Sequence, residues 1–245
     1  MTKNKIIIFI LSVGAIFIIV ISCRRHTPLS SQNLETFISA PVQNVEIPKE
    51  IRHGDRSKKE VIFTFDAGGA NLSGDKILEV LAKHHVKGTF FLTGKMIENN
   101  SSFVKSLASA GDEIFNHTYD HPILTTLSDY NITKELTKMH DALQNSIGIS
   151  PKLYFRAPYG MRNARVLEIA ANLGYQSVYW TVDALDWRGK LETPDQVRNR
   201  IFSSLAPGNI YLMHVSDLTT GIVLDDVFNT IEAKGYKIVS LTQGV

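Results

Sequence analysis

"VIFTFDAGGANLSGDKILEVLAKHHVKGTFFL", residues 61–92, decides the fold. Val61-Ile62-Phe63-Thr64-Phe65 is a β-branched and aromatic run that stops at one carboxylate, Asp66. A glycine-bearing loop follows, then a helix-like stretch near 74–85, then a second apolar run near 88–92. Strand, helix and strand at this spacing predict a parallel pair joined by a crossover helix. A carboxylate at the end of a buried strand is costly unless something uses it. Asp66 is therefore the first residue whose presence needs a reason.

The same alternation continues to the C-terminus. Further strand-like runs fall near 112–116, 153–155, 176–181, 209–213 and 237–240. Helix-like stretches lie near 101–110, 129–147, 163–173, 194–205 and 222–234. About seven parallel strands over residues 60–245 suit either a doubly wound sheet or a small (β/α) barrel. Residues 24–59 mix Ser, Gln, Asn, Pro and charges without period and read as a tether.

The chain's net charge of +2 hides an asymmetry. Residues 1–60 carry nine Lys/Arg against five Asp/Glu, so residues 61–245 are net −2. A mildly acidic domain argues against a nucleic-acid partner. Cys23 is the only cysteine, which excludes an intrachain disulfide and a cysteine-rich metal site. Lys3 and Lys5 precede an uncharged apolar run from Ile6 to Ser22, the pattern of an export signal. The run ends in Val20-Ile21-Ser22-Cys23, which resembles a bacterial lipobox and implies lipidation of Cys23. An uncleaved membrane span and an ordinary cleaved signal are the competing readings of residues 1–23. All three place the domain outside the cytoplasm, and the first two anchor it to the membrane.

The reactive residues share one position relative to the strands. Asp66 follows the first strand, His117 and His121 the third, Arg156 the fourth, Asp183 to Trp187 the fifth, and His214 the sixth. In both candidate architectures the carboxyl ends of the strands form one face, where active sites assemble. His117 and His121, four apart just past a strand, can share a divalent metal. In "YFRAPYG" (154–160), Pro158 holds the chain extended and Gly160 allows a tight turn beside Arg156. "DALDW" (183–187) supplies two carboxylates and an indole, and Asp183 is explained equally well as a helix cap.

Together TFDAG (64–68), HTYDH (117–121), RAPY (156–159), DALDW (183–187) and LMH (212–214) resemble the motif series of the polysaccharide deacetylases, the NodB-homology carbohydrate esterases. The resemblance implies a distorted (β/α) barrel and an exported, metal-dependent deacetylase. Its substrate would be an N-acetylhexosamine polymer of the cell wall or extracellular matrix, such as peptidoglycan. It implies Asp66 as general base, with Arg156 holding it, and His214 as general acid kept charged by Asp186. His117 and His121 would bind the metal, zinc first, with cobalt, nickel or manganese as alternatives. The Tyr159 N–H would stabilise the oxyanion, while Trp187 and Leu212 would wall the acetyl pocket.

The chain departs from the family at one motif position. The commonest form of the first motif carries a second aspartate as the third metal ligand, and here that place is Ala67. Two imidazoles make a poor site, since catalytic zinc usually has three protein ligands. Weak metal binding is therefore expected, with Asn71 as a substitute oxygen. Ala67 also supports an alternative, a catalytically silent wall-binding protein on the same scaffold.

Overall fold

The computed structural model describes residues 47–149 and 154–245. The apolar run, Cys23 and most of the expected tether lie outside them. Among the described residues no helix is long and apolar enough to cross a membrane.

The strand–helix alternation folds as a curled parallel sheet with helices on its outer side. Its strands are β1 (Glu60–Ala67), β2 (Thr89–Leu92), β3 (Glu113–Asn116), β4 (Tyr154–Phe155), β5 (Gln176–Ser177), β6 (Val182–Asp183), β7 (Ile210–His214) and β8 (Lys237–Val239). Seven follow the order β5-β4-β3-β2-β1-β7-β6, and β8 pairs with the start of β1. Every pairing is parallel. The expected strand near 176–181 divides, because the chain leaves β5 after Ser177 and joins β7 through β6 instead.

The helices are α1 (Gly74–Lys83), α2 (Gly94–Asn99), α3 (Ser101–Ala110), α4 (Asp129–Ile147), α5 (Ala164–Asn172), α6 (Pro194–Ser203), α7 (Leu218–Ala233) and α8 (Leu241–Gly244). Local chemistry starts several of them. Thr93 accepts the Met96 N–H ahead of α2, and Thr193 with Gln196 forms a reciprocal capping box ahead of α6. α2 and α8 are short elements without their own hydrophobic period, which is why the sequence pattern did not announce them.

β1 is buried on both faces, as an inner parallel strand must be. Val61, Phe63, Phe65 and Ala67 join Ile77, Leu81, Val104, Val223 and Phe228 in the core between sheet and helices. Ile62 faces the other way, packing with Phe91, Phe115 and Ile210 inside the curl. Burying each of these large side chains contributes roughly 1.5–3 kcal/mol. Thr64 and Asp66 share the inner face with Ile62, so the alternation of β1 delivers the carboxylate to the inside of the curl.

The sheet path is open between β5 and β6, and residues 51–54 bond to the chain on both sides of that gap. The Ile51 N–H donates to Ser177 O (2.9 Å), Tyr179 N–H to Ile51 O (2.7 Å), and Gly54 N–H to Gly208 O (2.7 Å). These residues were expected to be tether, yet they are fastened to the domain. The last turn, α8, is held similarly by the buried Glu113, which accepts from Ser240 Oγ (2.9 Å) and Thr89 Oγ1 (3.0 Å).

Candidate active site

Parallel register brings the first pair of candidates together. Asp66 and His214 are direct partners across β1 and β7. Arg156, fully buried just beyond β4, donates from Nη1 to Asp66 Oδ1 (2.7 Å) and to Thr64 Oγ1 (2.9 Å). Its other nitrogens reach Val178 O and Tyr179 O, and its guanidinium lies 4.1 Å from the Phe91 ring centroid. Burial works to raise the Asp66 pKa, but the Arg156 charge, helped by His117 and His214, outweighs it and holds the carboxyl below the usual range. Asp66 is thus ionised at neutral pH although nearly inaccessible.

The two histidines of the 117–121 turn converge. The His117 Nδ1–H donates to Arg156 O (2.9 Å), which leaves Nε2 of the neutral ring as a lone pair. That nitrogen lies 3.2 Å from His121 Nε2 and 3.4 Å from Asp66 Oδ2. Burial pushes the His117 pKa down; burial and the neighbouring His117 bring His121 to about 4. Both rings are therefore neutral and able to act as ligands at pH 7. The segment that carries them is a left-handed bend and not a helical turn, with Thr118 at φ 67° and His121 at φ 62°.

His214, at the end of β7, is held by the fully buried Asp186. Asp186 Oδ1 accepts the imidazole Nδ1–H (2.9 Å), and Oδ2 accepts the backbone N–H of His214 (2.7 Å). Burial lowers the His214 pKa, but the hydrogen bond and charge of Asp186 reverse this and raise it above the ordinary histidine value. Thr220 Oγ1 completes the arrangement by donating to Asp186 Oδ2.

These groups open on one cleft of about 540 Å³. Asp66, His117, His121 and His214 line it with Tyr159, Trp180, Trp187 and Leu212. The volume suits a sugar-sized ligand. Gly68 lies at its rim, where a Cβ would stand 3.3 Å from both the His121 ring and the Thr93 methyl, so either neighbour would have to give way slightly.

A family model described as polysaccharide deacetylase matches residues 53–178. The chain belongs to the polysaccharide deacetylase family. It is 35% identical over 196 residues to the uncharacterized protein YlxY of Bacillus subtilis, covering 80% of this chain and 60% of that relative's length. It is 33% identical to the peptidoglycan-N-acetylmuramic acid deacetylase PdaA of Bacillus subtilis, covering 77% of this chain and 72% of PdaA. Among solved structures it resembles a CE4 family pseudoenzyme from Bacillus anthracis, at 33% identity and TM-score 0.75, over 80% of this chain and 68% of that one. A mutant of that pseudoenzyme with restored enzymatic activity matches at 34% identity and TM-score 0.75, over 80% of this chain and 71% of that one.

Within this deacetylase fold, Asp66, His117, His121, Tyr159, Trp187, Leu212 and His214 gather around one cleft, with Arg156 and Asp186 buried behind it. Asp183 is not a helix cap: it lines the cleft and accepts the Leu185 N–H (2.8 Å) and the Trp187 indole N–H (3.3 Å), shaping the loop that carries Trp187. Asn71 is not among the residues lining the cleft; its side-chain oxygen accepts the Gly74 N–H (2.9 Å) at the start of α1. Ala67 packs in the core between sheet and helices and does not line the cleft. Sequence reasoning missed Thr64, Thr220 and Trp180. The first two are ordinary threonines whose partners lie 92 and 34 residues away, so no local pattern marks them.

The histidine pair fits a divalent metal as two of its ligands. Two metal–nitrogen bonds of about 2.05 Å at a tetrahedral angle place the nitrogens roughly 3.3 Å apart, and they stand 3.2 Å apart here. The His117 Nδ1–H···O=C bond is the usual orienting partner of a ligating imidazole. Among the described residues no group of three His, Cys, Asp or Glu is arranged as a metal site.

Strain concentrates at the same place. Of the five described non-glycine residues with positive φ, four (Thr118, His121, Tyr159 and Leu185) border the cleft or its loops. Each left-handed residue costs roughly 1–2 kcal/mol, and such outliers cluster where geometry serves function.

Proposed function

We propose that this family member is an exported, metal-dependent deacetylase that hydrolyses N-acetyl groups of a cell-wall or extracellular N-acetylhexosamine polysaccharide, with peptidoglycan the first candidate. One observation carries the reading. A carboxylate paired with the buried Arg156 and an imidazole whose Nδ1–H is held by the buried Asp186 face the same cleft from adjacent strands. A binding groove needs neither pairing.

In this reading Asp66 takes a proton from a water molecule while the water oxygen bonds to the acetyl carbonyl carbon. Arg156 fixes Asp66 by a charge-assisted hydrogen bond and keeps its second oxygen turned toward His117. The Tyr159 N–H is assigned to the developing oxyanion. As the C–N bond breaks, His214 delivers the Nε2 proton to the departing amine, and Asp186 holds the ring through Nδ1. Trp187 and Leu212 enclose the acetyl methyl. Asp66, with its depressed pKa, is a weak base. A divalent ion held by His117 and His121 would compensate by lowering the pKa of water and polarising the carbonyl.

Export and membrane attachment rest on Lys3, Lys5, the Ile6–Ser22 run and Cys23. Acetate release from N-acetylglucosamine oligomers and purified peptidoglycan, with and without added zinc or cobalt, tests the catalytic reading. Release that depends on added metal supports it.

A second reading, a catalytically silent glycan-binding protein, is favoured by Ala67 in the place of the third ligand. The similarity to a pseudoenzyme points the same way. Peptidoglycan binding with no acetate release under any metal would establish it instead.

A further inference from the structure

We propose that Glu50 and Arg162 are positioning residues that clamp the Tyr159–Gly160 turn against the cleft. Neither belongs to the motifs, and Glu50 precedes both β1 and the residues matched by the family model. The inference deepens the deacetylase reading and rests on it only for its kinetic consequence.

The pair is bidentate and shielded. Arg162 Nε donates to Glu50 Oε1 and Nη2 to Oε2, both at 2.7 Å, with side chains only 15% and 10% exposed. Glu50 is itself held by Ser177 Oγ (2.9 Å) and Arg52 Nε (2.7 Å). The remaining arm of the guanidinium is the informative one. Arg162 Nη1 donates to Gly160 O (2.9 Å), and the guanidinium carbon lies 3.7 Å from the Tyr179 ring centroid. Tyr179 stacks on Trp180 at 3.9 Å, and Trp180 lines the cleft.

The turn needs such a clamp. Tyr159 (φ 58°) and Gly160 (φ 66°) are consecutive left-handed residues, and the first bears a side chain. A strained backbone persists only where its surroundings over-determine it. Gly160 is pressed against the aromatic pair so closely that a Cβ would come within 2.7 Å of Trp180 and 2.8 Å of Tyr179. On its other side Tyr159 packs its ring 4.6 Å from His121. A chain of contacts thus runs from Glu50 through Arg162 and Gly160 to Tyr159 and the histidine pair.

The test uses the full chain in detergent, labelled with ¹⁵N-tyrosine and ¹⁵N-glycine, with Tyr159→Phe assigning one signal among eight tyrosines. Glu50→Gln removes the charge, and Arg162→Lys keeps a charge near Glu50 but cannot bridge it to Gly160 O as a fork. Both are expected to shift or broaden the Tyr159 and Gly160 amide signals. On N-acetylglucosamine oligomers both are expected to lower kcat by about 10-fold with KM nearly unchanged. A purely structural pair would instead lower the melting temperature in both variants and leave the folded protein's Tyr159 and Gly160 signals in place. Unchanged amide signals in Arg162→Lys overturn the clamp. Shifted signals in both variants, alongside a wild type that releases no acetate, would uphold the clamp and count against the deacetylase reading.

Discussion

Asp186 grips His214 at two atoms of the same residue, the imidazole Nδ1 (2.9 Å) and the backbone N–H (2.7 Å). One oxygen serves each, so the carboxylate cannot turn without releasing the ring or the strand end. The ring is thereby fixed with Nε2 as its free nitrogen, and a negative charge sits against it. Burial alone would lower the pKa of this histidine; the Asp186 hydrogen bond and charge reverse that and raise it.

The pH dependence follows from that reversal. The folded pKa of His214 lies above its unfolded value of about 6.5. Its stabilising contribution is therefore complete below that value and is lost as pH rises through the folded pKa. Because the acid must be protonated, kcat should fall on the alkaline side, at a higher pH than an ordinary histidine would give. Asp186→Asn leaves burial as the larger influence, so the alkaline limb should move to lower pH and kcat at pH 7.5 should drop at least ~10-fold. A pH–rate profile of the two proteins checks this, and superimposable alkaline limbs would remove His214 as the acid.

Asp66→Asn should reduce kcat by at least ~10²-fold. The amide oxygen can still accept from Arg156, but the fully buried guanidinium loses its counter-charge. Breaking a buried pair costs up to about 3–5 kcal/mol, so the melting temperature should fall as well, without unfolding at 25 °C. Kinetics on the folded fraction, with circular dichroism alongside, separates the two effects. Turnover within a few-fold of wild type would disqualify Asp66 as the base.

Metal should be held weakly, because two imidazoles converge and Ala67 stands in the place of the third ligand. Dialysis against a chelator should remove it, and zinc titration by calorimetry should show one site that His121→Ala weakens by more than ~10-fold. Tight stoichiometric binding that survives His121→Ala would move the site elsewhere.

Trp187 is 54% exposed at the cleft mouth, with its indole N–H steered by Asp183. An indole so placed offers an apolar face to a sugar ring, worth about 0.5–1.5 kcal/mol. Trp187→Ala should therefore raise KM for oligosaccharides by roughly 3–10-fold and change kcat little. An unchanged KM would show that substrate does not reach this face.

At the N-terminus, a lipidated Cys23 should make the protein incorporate labelled fatty acid and partition with membranes. Cys23→Ser should abolish incorporation. A wild type that stays membrane-bound, unlabelled and with its apolar run intact would be an uncleaved span instead.

The sequence by itself determined the strand–helix order and the carboxyl-end placement of Asp66, His117, His121, Arg156, Asp186 and His214. It could do so because alternation is local and because parallel strands must carry their loops to one face. Tertiary structure decided what locality cannot reach. The eighth strand arises because β6 pairs with β7 rather than extending β5. Asn71 is spent on a helix start, Ala67 faces the helix-side core, and Glu50 meets Arg162 across 112 residues. In each case a side chain answers to one particular partner, a buried donor, a packed face or a guanidinium, and only the folded chain chooses which partner comes within about 3 Å.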